Sequence, residues 1–307
     1  MSRPTAAPYD INGKTVFITG AARGIGKAAA ERLHSKGANV ALVGLEPERL
    51  RENAEQLGER AAWFEVDVTD LEALESAVAG TVERFGGIDV AIANAGIAFS
   101  GALATEPVDH VERTLAVNLL GVWRTDRAVI EEITKRRGYL LNISSLSAVA
   151  HAPLMGPYTA AKAGVEALTD ALRMESAPSG AMVGCAYFGF IDTDLVRAAY
   201  SQPSTELMNH DTPEFLRKPA PLPKAIDAIE RGIESRAPRV WYPRWVGAAI
   251  AMRGIVQPLV ERRTMGDLQR LSEAMRLAAE PPAGVPEEDP LLGVSAQAAP
   301  QKQTAGA

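Results

Sequence analysis

Tyr158 and Lys162 stand four residues apart in Tyr158-Thr159-Ala160-Ala161-Lys162. On a helix that spacing puts both side chains on one face. A free tyrosine has a pKa of about 10, too high for a good base at neutral pH. An ammonium beside it favours the phenolate and lowers that value. Such a tyrosine can take a proton from an alcohol or give one to a carbonyl. Ser145 lies thirteen residues upstream, at the end of an apolar run. Its hydroxyl can hold a substrate oxygen on which charge develops; Ser144 and Ser147 are the nearby alternatives. Asn118 has Val117, Leu119 and Leu120 as neighbours, a setting that argues for a buried amide.

A second group suits an anion. Thr19-Gly20-Ala21-Ala22-Arg23-Gly24-Ile25-Gly26 joins an apolar run to a helical one. Small residues let the backbone approach a pyrophosphate, and the helix N-terminus offers it free N–H groups. Alone, the glycines would mark only a tight turn. Their place at the first strand-to-helix crossing makes dinucleotide binding the better reading.

These residues need a frame to hold them. Short β-branched and apolar runs at 15–20, 39–43, 62–66, 90–93, 139–144 and 182–187 read as strands, with 239–242 a candidate seventh. Helical spacing falls between them, at 24–36, 48–57, 71–85, 108–135 and 158–175. Strict alternation predicts an α/β fold, a doubly wound parallel sheet with helices on both faces. Residues 194–223 hold five prolines and little periodicity, which suits a substrate lid.

Composition narrows the function. Of 307 residues, 47% are hydrophobic and 23% charged, which excludes disorder over most of the chain. The one cysteine, Cys185, excludes a disulfide scaffold and reads as a small core residue. The four histidines are scattered, so no metal site is expected. A net charge of -6 argues against a nucleic-acid partner. The first ten residues lack the apolar core of a signal peptide, and no uncharged run approaches the ~20 residues that span a bilayer. The expected location is cytoplasmic.

The glycine turn has the form T-G-x-x-x-G-x-G. Ala93-Asn94-Ala95-Gly96, Val117-Asn118-Leu119, Asn142-Ile143-Ser144-Ser145, the Y-x-x-x-K stretch and Gly189-Phe190-Ile191-Asp192-Thr193 follow it in order. Together, over about residues 11–245, the chain resembles the short-chain dehydrogenase/reductase family. The resemblance implies a Rossmann-type dinucleotide-binding and catalytic domain and an oxidoreductase that interconverts a secondary alcohol and a ketone with NAD(P)(H). It implies Asn118, Ser145, Tyr158 and Lys162 as the catalytic set, with Asn118 helping to hold a water that relays protons from the lysine. The implied cofactor contacts begin with Thr19, Gly20, Arg23, Gly24, Ile25 and Gly26. Gly44, Leu45 and Glu46 follow at the end of the second strand, then Asp67 and Val68 beside the adenine, and Asn94, Ala95 and Gly96. Tyr158 and Lys162 contribute again, with Gly189, Ile191 and Thr193, the last on the carboxamide. A homodimer or homotetramer is implied by the resemblance only.

The chain departs from the family at informative places. Phe188 stands where the family usually has proline. The aspartate that marks NAD aligns with Gly44, and the arginine that marks NADP aligns with Leu45; both are missing. Arg23 can attract a 2′-phosphate, while Glu46 can repel one or bond a ribose hydroxyl. The preference between NAD and NADP is therefore open. Leu146, Leu154, Met155, Phe188, Leu195, Leu207 and Met208 suggest a small to medium, partly apolar substrate. His151 reads as a solvated loop residue. Two other readings are a non-catalytic dinucleotide sensor and a peripheral membrane protein on the same scaffold; neither needs the four catalytic residues.

Beyond the likeness lies a helical extension over 246–280 and then a tail over 281–307, rich in proline and expected to be disordered. Residues 241–263 carry Trp241, Trp245, Arg244, Arg253, Arg262 and Arg263. They read either as a helix at a lipid surface or as one packed over the cleft or a second subunit, and the packed reading is preferred. Gln257-Pro258 predicts a break before a second helix over 259–279.

Overall fold

The computed structural model describes residues 8–210 and 212–279. Residues 1–7 of the expected flexible N-terminus, and the tail expected over 281–307, lie outside them. Within the N-terminal ten, Tyr9 is docked: its N–H donates to the Glu234 carbonyl at 2.7 Å.

Seven strands form one parallel sheet in the order β3-β2-β1-β4-β5-β6-β7. They are β1 (Thr15–Thr19), β2 (Asn39–Gly44), β3 (Ala61–Glu65), β4 (Val90–Ala93), β5 (Tyr139–Ile143), β6 (Met182–Phe188) and β7 (Arg239–Tyr242). The helices over them are α1 (Gly24–Ser35), α2 (Pro47–Leu57), α3 (Leu71–Phe85), α4 (Val108–Leu115), α5 (Gly121–Lys135) and α6 (Gly156–Ser176). After β6 come α7 (Asp194–Tyr200), α8 (Pro203–Asn209), α9 (Glu214–Arg217) and α10 (Leu222–Ser235), and after β7 come α11 (Arg244–Ala251), α12 (Arg253–Met265) and α13 (Leu268–Ala278).

Side-chain alternation builds two cores. Val16, Ile18, Val40 and Leu42 point to one face and pack under Ala29, Leu33, Ile226 and Ile229. Phe17, Ala41 and Val43 point to the other, under Leu74, Val78, Val129 and Ile133. A strand covered on both faces must be apolar throughout, and β1 is buried at all five positions. Strand order reverses between β1 and β4, so a crevice opens above their carboxyl ends.

Three features differ from the sequence expectation. The helix expected over 108–135 is interrupted by a π-helical turn, Ala116–Leu120, between α4 and α5. The segment 194–223 holds three short helices; α7 starts at Thr193, whose hydroxyl accepts from the Val196 N–H, and α8 starts at Pro203. The break expected at Gln257-Pro258 falls instead at Gly266. Helix α12 runs through Pro258, and the carbonyl this deprives of a partner belongs to Gly254, which is exposed to water. The next helix starts at Asp267, whose carboxylate accepts from the Arg270 N–H at 2.9 Å.

Candidate active site

A cleft of about 330 Å³ runs across the strand ends from the glycine turn to Tyr158. Its lining includes nearly every site residue expected from the sequence. At one end are Gly20, Arg23, Gly24, Ile25, Gly44, Leu45, Glu46, Asp67 and Val68. In the middle are Asn94, Ala95, Gly96, Gly189, Ile191 and Thr193, and at the far end Asn118, Ser145, Tyr158 and Lys162. Thr19 and Gly26 are not in the lining. They support it: the Thr19 hydroxyl accepts from the N–H groups of Asn94 and Ala95, at 3.0 and 3.2 Å. The Asn94 amide donates back to the carbonyls of Thr19 and Gly20, at 3.0 and 3.2 Å. A Cβ at Gly26 would lie 2.2 Å from the Gly20 oxygen, so only glycine lets α1 close against the turn.

The nucleotide end fits an anion. Helix α1 has no side-chain cap and no acidic residue in its first turn, so its leading N–H groups face the cleft. Gly20 and Gly24 hold φ of 65° and 56°, the left-handed region that favours glycine. Arg23 and Glu46, read from sequence as rivals for the ribose, bond each other. Arg23 Nε donates to Glu46 Oε1 at 2.8 Å, a second guanidinium nitrogen donates to Oε2, and Arg49 adds an ion pair at 3.3 Å. Asp67 is likewise held: Oδ1 accepts from the Thr69 N–H at 2.8 Å and Oδ2 from Arg113 at 2.9 Å. Burial pushes its carboxyl up, but these bonds and the Arg113 charge together outweigh it and hold the carboxyl below the usual range. Arg113 lines the cleft and was missed from sequence. Its only signal was a basic residue one helical turn before Val117, on the side of α4 that meets the strand ends.

At the other end, Ser145 and Tyr158 come together from the end of β5 and the start of α6. Burial pushes the Tyr158 phenol up, and the Ser145 hydroxyl beside it pulls the other way. This differs from the sequence expectation of a lowered pKa, because loss of water around the ring outweighs the Ser145 hydrogen bond. Lys162 Nζ lies 5.7 Å from the Tyr158 ring centre and donates to the Ile143 carbonyl at 2.9 Å. It is nearly buried, and that burial pushes its pKa down to about 8. Ser144 is occupied in holding α6, donating to the Lys162 carbonyl at 2.8 Å. The fully buried Asn118 spends its amide on one residue: Oδ1 accepts from the Ile97 N–H at 2.9 Å and Nδ2 donates to the Ile97 carbonyl at 2.8 Å. The π turn aims this amide at the loop after β4.

Phe188 and Leu195 line the cleft, whereas Leu154, Leu207 and Met208 join Ala102 and Ala274 in a small apolar cluster under α13. His151 is exposed and outside the cleft, its N–H bonded to Gln257 Oε1 at 2.7 Å. Cys185 is fully buried in β6. Among the described residues no group of three His, Cys, Asp or Glu is placed to hold a metal.

A family model described as short chain dehydrogenase matches residues 14–204, and the chain belongs to that family. It is an oxidoreductase that uses NAD(P)(H) and acts on a small molecule bearing an alcohol or a ketone. It is 31% identical over 197 residues to a 3-oxoacyl-[acyl-carrier-protein] reductase of Vibrio cholerae, covering 64% of this chain and 81% of that one. It is 32% identical over 200 residues to a 3beta-hydroxysteroid dehydrogenase of Eggerthella lenta, covering 63% and 77%. A crystal structure from Agrobacterium tumefaciens, provisionally assigned as a gluconate dehydrogenase, superposes with a TM-score of 0.68 at 24% identity, over 77% of this chain and 96% of that one. This last likeness is one of fold.

Proposed function

We propose that this protein interconverts apolar ketones and secondary alcohols, with Tyr158 moving the proton at the substrate oxygen. The observation that carries the reading is the meeting of the Ser145 hydroxyl and the Tyr158 phenol at one end of the cleft, with the Lys162 ammonium buried behind them. The nicotinamide ring, when bound, gives or takes the hydride. Ser145 holds the carbonyl oxygen within reach of the phenol. Tyr158 donates its proton to that oxygen in reduction and removes it in oxidation. Lys162 supplies positive charge beside the phenol and, as the resemblance implies, a contact to the nicotinamide ribose. Asn118 acts as a positioning residue, fixing the loop that carries Ala95 and Gly96.

Phe188 and Leu195 give the substrate end its apolar wall. Two relatives carry names for carbonyl or hydroxyl chemistry on an acyl chain and on a steroid, and both suit such a wall. The buried thiol of Cys185 fits a reducing, cytoplasmic setting. Exposed Leu120 at the end of the π turn and Trp123 on α5 suit assembly into the dimer or tetramer that the resemblance implies.

The test is oxidation of NADH or NADPH with a panel of ketones graded in size and polarity. Turnover should rise with apolar bulk. A dinucleotide bound without turnover of any ketone would favour a sensor, and preference for polar sugars would contradict the apolar wall.

A further inference from the structure

Helix α12 stands apart from the rest of the molecule. Among the described residues it is the one helix longer than ten residues that buries no side chain. Of the fourteen large hydrophobic side chains exposed among the described residues, seven lie between Trp241 and Met275. Met252, at the helix start, is 49% exposed, Ile255 60% and Leu259 59%. At about 100° per residue these three fall within about 60° of one another, so they form one outward row. Arg262 and Arg263 come about one turn later, one on each side of that row. The half-buried Val256, Gln257, Val260 and Thr264 form a separate row turned toward the protein. Glu261, the only acidic residue of α12, lies far round the helix from the apolar row and accepts from Gln257 at 2.9 Å.

The charge here opposes that of the chain. Residues 241–279 hold six arginines against three acidic residues, within a protein of net charge -6. Apolar side chains flanked by arginines match the layered chemistry of an anionic bilayer surface, acyl tails beneath phosphates. A second copy of the chain is a poorer occupant. A two-fold contact through this row would bring no acidic side chain of α12 to face Arg262 and Arg263, because Glu261 lies far round the helix.

The helix is mounted firmly enough to act as a foot. Arg253 donates to both carboxylate oxygens of Glu166, at 3.1 and 2.6 Å, and Arg263 donates to the Thr212 hydroxyl at 2.8 Å. Helix α13 continues from it and packs on Ala102, Leu154, Leu207 and Met208. Ala102 and Leu154 sit on the loops after β4 and β5, joined by a Gly101 N–H to Leu154 carbonyl bond of 3.0 Å.

We propose that α12 docks this protein on an anionic membrane surface through Met252, Ile255 and Leu259, with Arg262 beside that row reaching lipid phosphates. Docking turns the loops beside the cleft toward the bilayer, where an apolar ketone would be concentrated. That consequence rests on the proposed function; the docking does not.

The experiment is flotation of the full chain with vesicles of phosphatidylcholine alone, or of phosphatidylcholine mixed with phosphatidylglycerol. Binding should be at least ~10-fold stronger to the anionic vesicles and should weaken as salt rises. Ile255→Gln with Leu259→Gln should weaken it at least ~10-fold, and separately Arg262→Gln should weaken it about fivefold. Both variants should keep the wild-type circular dichroism and the turnover of a water-soluble ketone. No binding to anionic vesicles, or variants that bind as the wild type does, would overturn the proposal. So would a vesicle-free dimer that the Ile255 and Leu259 exchanges split, because a second copy would then be the occupant.

Discussion

The strand ends and the C-terminal helices are held in place by different means. Along the strand ends, Gly20, Asn94, Ser145, Gly189 and their neighbours are placed by sheet register, each a residue or two past the last ladder bond. Beyond β7, α12 and α13 are held by a few side-chain anchors: Arg253 on Glu166, Arg263 on Thr212 and the small cluster around Ala274. Backbone register is stiff and shared by many bonds, whereas an anchor is one interaction. The difference teaches where each kind of change should be felt. Substitutions at the strand ends should alter chemistry with little effect on stability. Substitutions in the extension should alter stability or docking and leave the chemical step alone.

Lys162→Met should give the largest effect and sharpen the first half of that contrast. On the proposed roles of its ammonium toward the phenol and the ribose, turnover should fall at least ~100-fold and dinucleotide affinity about tenfold. Kinetics and calorimetric titration with the preferred dinucleotide check both. Arg253→Met addresses the second half. Glu166 is nearly buried and also accepts from the Tyr187 hydroxyl at 2.8 Å. Removing Arg253 should cost about 1–3 kcal/mol, toward the low end because Arg253 is 48% exposed and water replaces part of the loss. Denaturant melts should show the loss, while turnover per folded molecule stays within a few fold. A hundredfold fall in turnover would erase the distinction between the regions.

Glu46→Gln asks whether the nucleotide end is tunable. It releases the Arg23 guanidinium from its paired carboxylate, and the free cation should favour a 2′-phosphate. The ratio of NADPH to NADH affinity should rise about tenfold. An unchanged ratio in titration calorimetry would mean that another residue reads the 2′ position.

The smallest effect is expected at Asp126 on α5. It is buried with Oδ1 unpartnered, its Oδ2 accepting from Asn142 at 2.8 Å. Burial pushes its pKa up to about 8, against the pull of that bond. The folded protein thus holds the proton more tightly than the unfolded chain does. The stability this confers is in place below the ordinary carboxylate range and is lost as pH rises through about 8. Melting temperature should therefore fall as pH rises from about 4 to about 8 and level off above it. Asp126→Asn should flatten that slope, and an equal slope in both proteins would place the proton elsewhere.

The same contrast explains what the sequence made legible. The five inner strands before residue 190 announce themselves because burial on both faces demands continuous apolar runs, while the partly exposed edge strand β3 shows only a short one. The glycine turn is visible because Gly20 and Gly24 need positive φ and Gly26 a missing Cβ. Tyr158 and Lys162 are visible because helical spacing fixes their relation. What stayed hidden depends on tertiary neighbours. The Arg23–Glu46 and Arg113–Asp67 pairs join residues far apart in the chain. The π turn at Asn118 inserts one residue's worth of helix without changing composition. The Tyr158 pKa follows from the water excluded around the ring, which no local spacing reports. The path of α12 through Pro258 was misread because an exposed carbonyl tolerates the lost bond.

The central claim is that Tyr158 moves the proton at the substrate oxygen, and Tyr158→Phe tests it most directly. The phenyl ring keeps the packing and loses only the hydroxyl. Hydride transfer should be followed in a single turnover, with dinucleotide affinity measured on the same protein. The account predicts a fall of at least ~100-fold in the transfer rate with affinity unchanged within a few fold. Transfer at near wild-type rate in a folded, dinucleotide-binding Tyr158→Phe protein would contradict it.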